Sequence, residues 1–374
     1  MKKAISFLAI FSLIILLGAG CSANKKQNKQ EKIKLGIVSS LTGAGSFYGQ
    51  NIKKGVELAI NEINKNGGVN GKKIKAIYED DRTKPKKTVS AVKKLINVNN
   101  VSAIVGLQWD FLANPVIPIA NRKGVPMISA GAPFDSLSEQ ARNSSYFYTT
   151  FPAAKGSIKA VRKFIQKRNV KDAVIISVNN SWGKAYVDAF KQALKKEDSE
   201  LLDTIFLPKK DNNDLRTVLA KVEQKDSDSV IVVVNQADYI NFVKRYRELD
   251  LEAIPLFHEK LAGFLESGKL TKKETKGVYF FDFPQPSKDF VNKFKNFHGK
   301  EPQIAAGTAY DAVYAIKKAI EGSDKATSKG ISKGLQSVSF EGASGPIDFT
   351  ESNYPQEKEA KLKKVTEDKV IKVE

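Results

Sequence analysis

Short apolar runs alternate with amphipathic segments along most of this chain. The first run, Ile33 to Ser40, precedes a segment in which apolar residues recur at helical spacing from Ile52 to Ile63. The same pair of patterns continues to Ser129 and restarts near Thr150. Near-continuous apolar strands separated by amphipathic helices indicate parallel sheets that are covered by helices on both faces.

The length of 374 residues exceeds that of a usual single domain. Together with the restart near Thr150, it predicts an α/β protein of two doubly wound, parallel-sheet lobes with a ligand cleft between them. Two late helices, Phe290 to Phe297 and Thr308 to Ile320, and the tail from Gly345 cannot be assigned to a lobe from periodicity. Ligands bind such sheets at the carboxyl ends of the strands, so the residues after each strand are the candidates for a site.

A charged start, an apolar run from Phe7 to Leu17 and small residues before Cys21 predict a signal peptide over residues 1–20. The segment resembles a bacterial lipoprotein lipobox, with Gly18 where leucine is usual, and this resemblance implies lipidation of Cys21. As the only cysteine, Cys21 cannot form an internal disulfide. The alternative is an ordinary secretory peptide with an incidental thiol.

Residues 21–32 contain several lysines and no apolar residue larger than alanine after Cys21, which predicts a flexible tether. Its lysines are expected to lie on an anionic membrane surface. No later segment is apolar and long enough to cross a membrane. The folded part is therefore predicted on the extracytoplasmic face of the cell membrane, held there by the lipid.

The formal charge of +20 raises the question of a nucleic-acid partner. The lysines are scattered over amphipathic helices, as at Lys86-Lys87 and Lys317-Lys318, and no basic stripe is interleaved with stacking aromatic residues. The sequence predicts no nucleic-acid binding.

The loop from Ser40 to Gln50 contains several glycines but matches neither common nucleotide motif. A dinucleotide fingerprint needs glycine at the position of Tyr48, and a phosphate loop needs Gly-Lys-Ser/Thr where Gly49-Gln50 stands. No cofactor is therefore predicted. The loop either contacts a polar ligand, with Tyr48 as an apolar wall, or merely turns the chain.

Further polar and aromatic residues follow the other predicted strands. Trp109 beside Asp110 could hold a cationic group against its ring, or the pair could pack and cap a helix. The same two alternatives, a ligand contact or a cap or surface loop, stay open for the others. The candidate ligand-binding residues are Tyr48, Trp109, Asp110, Gly131, Ala132, Trp182, Asn235 and Glu259.

Enzymatic function has little support in the sequence. His258 and His298 are the only histidines, so a histidine metal site or triad has few residues to draw on. No Gly-x-Ser-x-Gly motif occurs, and Asp80-Asp81 ends a strand, where it is expected to cap or brace. The prediction is a protein that is not an enzyme and holds no metal.

Several motifs resemble those of solute-binding proteins of the branched-chain amino acid type, which serve ABC transporters. They include Leu41-Thr42-Gly43, the stretch Ala59 to Asn64, Gly67 to Gly71, Val125 to Ala132 and Asn180 to Gly183. The resemblance implies a type I periplasmic-binding-protein fold, a monomer, a permease as partner and closure of a hinge on a trapped solute. It implies a first lobe of residues 33–150 plus 283–340 and a second of residues 151–282 plus 341–374.

The identity of the ligand cannot be taken directly from this resemblance. Asp110 and Pro133 stand where the family has a serine and a threonine that hold the α-carboxylate, and an aspartate would repel that group. Trp182 and Glu259 match the family's aromatic residue and ammonium partner, whereas Asn235 replaces a tyrosine. A cationic or neutral, partly apolar solute (amino-acid-like, an amide or an amine) is therefore expected rather than leucine. Lys260, next to Glu259, keeps open a solute with an anionic group. An alternative function, a receptor that senses its ligand and signals to a membrane partner, would share all these features.

Overall fold

The computed structural model describes residues 32–208, 214–266, 268–356 and 358–374. The predicted signal peptide, Cys21 and the tether up to residue 31 lie outside the described residues. The strands are β1 Ile33–Ser39, β2 Ile74–Asp80, β3 Ala103–Gly106, β4 Met127–Ser129, β5 Phe147–Thr149, β6 Asp172–Val178, β7 Glu200–Leu207, β8 Ser229–Val233, β9 Ile254–Phe257, β10 Tyr279–Asp282, β11 Ser339–Gly342, β12 Gly345–Asp348, β13 Lys361–Val365 and β14 Val370–Lys372.

The helices are α1 Ser46–Lys65, α2 Pro85–Asn97, α3 Asp110–Ala113, α4 Ile117–Lys123, α5 Glu139–Arg142, α6 Ile158–Arg168, α7 Ser181–Lys196, α8 Leu215–Glu223, α9 Gln236–Glu248, α10 Lys260–Glu266, α11 Lys288–His298, α12 Ala306–Ser323 and α13 Ser328–Leu335. Within the described ranges, no helix is long and apolar enough to cross a membrane.

The first lobe contains a five-stranded parallel sheet in the order β2-β1-β3-β4-β5. In the interior strand β1, six of the seven residues are buried, as expected for a strand covered on both faces. Alternate residues enter opposite cores: Leu35 packs with α1 and α12, whereas Val38 packs with α2 and the segment around α4. This lobe confirms the predicted doubly wound architecture.

The second lobe contains a seven-stranded sheet in the order β14-β13-β10-β9-β8-β6-β7. Strands β6 to β10 are parallel, and β13 and β14 add an antiparallel edge. Along β6, Ile175 enters the core on one face and Val174 the core on the other. The two-lobe prediction is thus confirmed, with two antiparallel strands added at one edge.

The late helices return to the first lobe. The α12 helix packs against α1 and α13 and places Ala312 and Ile316 in the core of that lobe. The contact between α1 and α12 is close: a Cβ on Gly55 would lie 2.1 Å from the carbonyl oxygen of Ala306. Glycine is therefore required at this crossing.

The last crossover between the lobes comes later than the resemblance implies. Ile347 and Phe349 are buried in the first lobe's core, and the ring of Tyr354 stacks on Phe134 with 4.3 Å between centroids. Ala360 is buried in the second lobe's core. The implied boundary at 340/341 is therefore wrong: the β11–β12 hairpin belongs to the first lobe, and the chain crosses between residues 354 and 360.

A buried lysine joins segments at this crossover. The Nζ atom of Lys358 donates hydrogen bonds to the Thr150 carbonyl oxygen at 2.9 Å and to the Ser344 hydroxyl at 2.7 Å. The Ser344 hydroxyl in turn is hydrogen-bonded to the Asp311 carboxylate. Burial lowers the pKa of Lys358 to about 8 and raises that of Asp311.

Candidate functional site

A buried glutamine holds the loop that follows β1. The side-chain oxygen of Gln108 accepts hydrogen bonds from the Ser39 hydroxyl at 3.1 Å and the Ser40 backbone N–H at 3.0 Å. Its amide nitrogen donates to the Gly45 carbonyl at 3.2 Å. A Cβ on Gly45 would lie 2.7 Å from the ring of Trp109. The loop therefore packs directly on that ring, and glycine permits the contact.

An aromatic row runs along the edge of the first lobe: Phe47, Tyr48, Trp109 and Phe111. Ring centroids are 5.7 Å apart for Phe47 and Tyr48, 5.3 Å for Tyr48 and Trp109, and 5.6 Å for Trp109 and Phe111. The two end members, Phe47 and Phe111, are 56% and 42% exposed. Tyr48 follows β1 and Trp109 follows β3, and the two rings are in contact at the same edge of the sheet although 60 residues separate them in the chain.

The other first-lobe candidates lie beside this row but mainly contact the protein itself. Asp110 is the first residue of α3, and its carboxylate accepts a hydrogen bond from the Phe111 backbone N–H at 2.9 Å. A Cβ on Gly131 would lie 2.6 Å from the Gln108 carbonyl oxygen. Ala132 is buried, and its N–H donates to the Ser129 hydroxyl at 3.0 Å.

In the second lobe, Trp182 and Glu259 share two neighbours. The Trp182 ring packs edge-on against Tyr186 and His258, with 5.4 Å between centroids in both cases. The Tyr186 hydroxyl donates to the Glu259 carboxylate at 3.3 Å, and His258 Nδ1 lies 3.6 Å from the same oxygen. The Glu259 side chain keeps 15% of its surface exposed. Asn235 is half-buried at the start of α9, where its carbonyl accepts from the Tyr239 N–H at 3.0 Å.

The charge of Glu259 acts on both lobes. Burial, and then this carboxylate, raise the pKa of Tyr186 and Tyr239 in the second lobe. The same two causes raise the pKa of Tyr48 in the first lobe. The Glu259 carboxylate of the second lobe is therefore close enough to Tyr48 of the first lobe to disfavour the charged form of the tyrosine.

A cavity of about 450 Å³ lies between the lobes. This volume is in the range of pockets that hold small organic ligands. Its walls are formed by Phe47, Tyr48, Phe151, Pro152, Glu259, Ala262, Gly263, Phe264, Lys269, Asp282, Phe283, Pro284, Gln285, Pro286, Pro302, Gln303, Ile304, Ala305, Gly307, Thr308 and Ser344. Of the eight candidates from the sequence, Tyr48 and Glu259 line it. The remaining six, Trp109, Asp110, Gly131, Ala132, Trp182 and Asn235, are absent from its described walls.

A sequence model of the periplasmic binding protein family matches residues 32–368. The chain belongs to this family. Its fold is that of the type I periplasmic binding proteins, and its relatives are of the branched-chain amino acid ABC transporter type.

One relative of this periplasmic binding protein matches it over less than half of the chain. It is 31% identical over 166 residues to a protein named Leu/Ile/Val-binding protein homolog 3 from Brucella melitensis. That alignment spans 44% of this chain and 44% of the relative, less than half of its length.

Solved structures match over more of the chain. A branched-chain amino acid transporter substrate-binding protein from Streptococcus pneumoniae, in complex with isoleucine, has a TM-score of 0.75 and 22% identity. The match covers 92% of this chain and 99% of that one. A solute-binding protein from Rhodopseudomonas palustris, in complex with benzoate, has a TM-score of 0.76 and 19% identity, covering 92% and 96%. These similarities show the fold.

This periplasmic binding protein has a second carboxylate in the cavity wall that sequence reasoning missed. Asp282 is buried at the end of β10, where Lys363 Nζ lies 2.6 Å from its carboxylate and the Gln285 side chain donates to it at 2.9 Å. Burial raises the pKa of Asp282, Lys363 opposes this effect, and Glu259 adds to it. The rule that led to Glu259 could also have found Asp282, because this residue directly follows the apolar run from Val278 to Phe281.

The other missed residues come from segments without a periodic signal. Phe151 and Pro152 follow β5, a three-residue strand that periodicity does not predict. The segments 283–286 and 302–305 belong to a crossover and to the approach to α12. Among the described residues, no group of three or more His, Cys, Asp or Glu side chains is placed to hold a metal ion.

Proposed function

We propose that this periplasmic binding protein captures a small polar solute between its lobes by hinge closure and delivers it to an ABC permease. The observation that carries the proposal is that Tyr48 of the first lobe and Glu259 of the second line the same 450 Å³ cavity. Because the two residues belong to different lobes, a solute between them is enclosed only when the lobes are together.

The charges around the cleft favour an amine, an amide or an amino-acid-like solute with an accessible ammonium. Glu259 and Asp282 both line the cavity, and Asp110 lies beside the aromatic row. A carboxylate of the solute would be repelled by these groups, whereas an ammonium would be attracted. The matched proteins hold isoleucine in one case and benzoate in another, so this fold accepts solutes of different chemistry.

We further propose that the protein acts at the cell membrane as a lipid-anchored monomer. The support is the export signal before Cys21 and the lysine-rich segment that follows it. A lipid on Cys21 and a short tether would keep the binding lobes beside the permease.

The test is a solute screen on the mature protein without its lipid. The chain has only two tryptophans, one in each lobe: Trp109 contacts Tyr48 of the cavity wall, and Trp182 packs against His258 next to Glu259. Intrinsic fluorescence should therefore change when a solute binds in the cavity. Amino acids, amides, amines, polyamines and nucleosides would be scored by fluorescence and by thermal shift. A binding solute should also reduce the radius of gyration in solution scattering, and its uptake should fail in a deletion strain.

Two results would contradict the proposal. Tight binding of leucine, isoleucine or valine would show that Asp110 and Pro133 have been misinterpreted. Conversion of the solute during long incubation would indicate an enzyme.

A further inference from the structure

The wall of the cavity that contains Tyr48 and Glu259 also contains residues of the crossovers between the lobes. Phe151 and Pro152 come from the first crossover, and Phe283 and Pro284 come from the second. We call this part of the cavity, together with Ser344, the hinge chamber. Because the lobes rotate about the crossovers, a solute that fills the hinge chamber contacts the residues on which closure depends.

The polar groups around the hinge chamber already have partners within the protein. Asp282 is bonded to Lys363 and Gln285, and the Ser344 hydroxyl to Lys358. A solute that hydrogen-bonded to these groups would have to replace existing bonds, which costs free energy. The surface that the hinge chamber offers to a solute is therefore mainly that of aromatic rings and prolines.

The same cavity wall carries a negative charge at Glu259. The Glu259 side chain keeps 15% of its surface exposed, and Tyr48 lines the same cavity. A carboxylate near a ring face is a favourable environment for an ammonium group. Lys269 is a cation in the same wall, and its side chain is exposed to solvent.

We propose that the solute is an organic cation with an apolar ring, the ring in the hinge chamber and the ammonium facing Glu259. This inference rests on the proposed function, because it specifies the solute of the same cleft. A volume of about 450 Å³ accommodates a ring and a short linker, whereas a small aliphatic amino acid would leave much of the hinge chamber unfilled.

The test uses four probes that separate the ring from the charge. 2-Phenylethylamine has both, 2-phenylethanol has the ring alone, propylamine has the charge alone, and 3-phenylpropionate has the ring with the opposite charge. Titration by calorimetry should show 2-phenylethylamine binding at least about tenfold more tightly than each of the other three, as expected for one charge-assisted contact plus one buried ring.

Two variants test the charge and the cavity. Glu259→Gln keeps the size of the side chain and removes its charge, so the affinity for 2-phenylethylamine should fall about tenfold towards that of 2-phenylethanol. Gly263 lines the cavity, and a Cβ there would meet no heavy atom within 4 Å. Gly263→Leu should therefore fold normally, occupy part of the cavity and weaken binding of the solute about tenfold. The matched control is Gly322→Leu, at an exposed helical glycine with equally open surroundings outside the cavity wall, which should bind like the parent.

Equal or tighter binding of 3-phenylpropionate, or no binding of 2-phenylethylamine at millimolar concentration, would overturn the inference. Unchanged affinity in Gly263→Leu would place the solute outside this cavity and overturn the inference as well. The proposed function fails separately: if another solute from the screen binds and compacts the protein, solute capture stands and only the organic-cation assignment is wrong.

Discussion

The carboxylate of Asp135 in the first lobe accepts a hydrogen bond from the backbone N–H of Ala154 in the second lobe at 2.9 Å. A second bond, at 2.8 Å, comes from the N–H of Lys155. The lobes are thus tied together close to the first crossover by a side chain that is neither in the cavity wall nor predicted from the sequence.

Asp135→Ala should destabilise this arrangement. The change removes both acceptors and leaves the N–H of the buried Ala154 without its partner, which should lower the free energy of unfolding by about 1–3 kcal/mol. Asp135→Asn keeps one acceptor, so its free energy of unfolding should fall by less than that of Asp135→Ala. Urea denaturation measures both, and equal stability of all three proteins would show that water replaces the carboxylate without cost.

Lys358 should make stability depend on pH in the alkaline range. Its folded-state pKa of about 8 lies below the value of about 10.5 for an unfolded lysine, so the unfolded chain binds more protons between these two pH values. The contribution of Lys358 to the free energy of unfolding should therefore rise with pH through this window. Asp311 and Glu341 are the acidic groups that favour the charged lysine.

The measurement for Lys358 is a comparison with Lys358→Met. The difference in unfolding free energy, parent minus variant, should increase between about pH 8 and pH 10, while titrations common to both proteins cancel. A difference that stays flat would mean that the folded protein holds Lys358 with an ordinary pKa.

Gln108→Leu should affect both stability and solute binding. It removes the three hydrogen bonds that hold the loop after β1, at a cost of about 2 kcal/mol or more, and it should let Tyr48 and Trp109 move. Thermal unfolding and tryptophan fluorescence report the two effects. Gln166→Leu is the matched control: Gln166 bonds Glu197 on the exposed surface, and its loss should change stability by no more than about 0.5 kcal/mol.

The crossing of α1 and α12 should not tolerate a methyl group. Gly55→Ala would place a Cβ 2.1 Å from the Ala306 carbonyl oxygen, and moving the helices apart should cost about 1–3 kcal/mol. Gly322→Ala, in α12 but in open space, should instead stabilise the protein by up to about 1 kcal/mol through helix propensity. Denaturant midpoints distinguish the two signs, and stabilisation by both changes would contradict the close crossing.

Cys21→Ala should release the protein from the membrane fraction without changing solute affinity. The reason is that the lipid proposed at Cys21 is the membrane attachment on which the proposed location depends. Cell fractionation and mass spectrometry of the mature N-terminus are the measurements. An unmodified thiol at Cys21 in the parent protein would remove the basis of the proposed anchor.

The fold was largely predictable because buried parallel strands leave a strong signal. Runs such as Ala173 to Val178 and Ser229 to Val234 are apolar on both faces, and the structure places β6 and β8 there. The β11–β12 hairpin was less predictable: its short alternation identifies strands but not the lobe that they cover, since either lobe could bury Ile347 and Phe349.

The site was predictable only in part, for a geometric reason. Tyr48 and Glu259 follow strands, and the carboxyl ends of parallel strands meet at the cleft. The hinge chamber instead takes its walls from crossovers and loops, such as Phe151 and Pro284, whose positions depend on how the two lobes dock. No local sequence pattern predicts how the lobes dock, so these wall residues can be identified only from the complete structure.

The return of α12 to the first lobe has a consequence for the order of folding. Residues 154–283 form most of the second lobe's core from one continuous segment, but Ile52 and Val56 in α1 need Ala309 and Ile316, which come more than 250 residues later. Contacts so distant in sequence form slowly, because a long loop must close first. The middle of the chain should therefore reach its native packing before the beginning can, and the first lobe must stay incomplete until nearly the whole polypeptide is present.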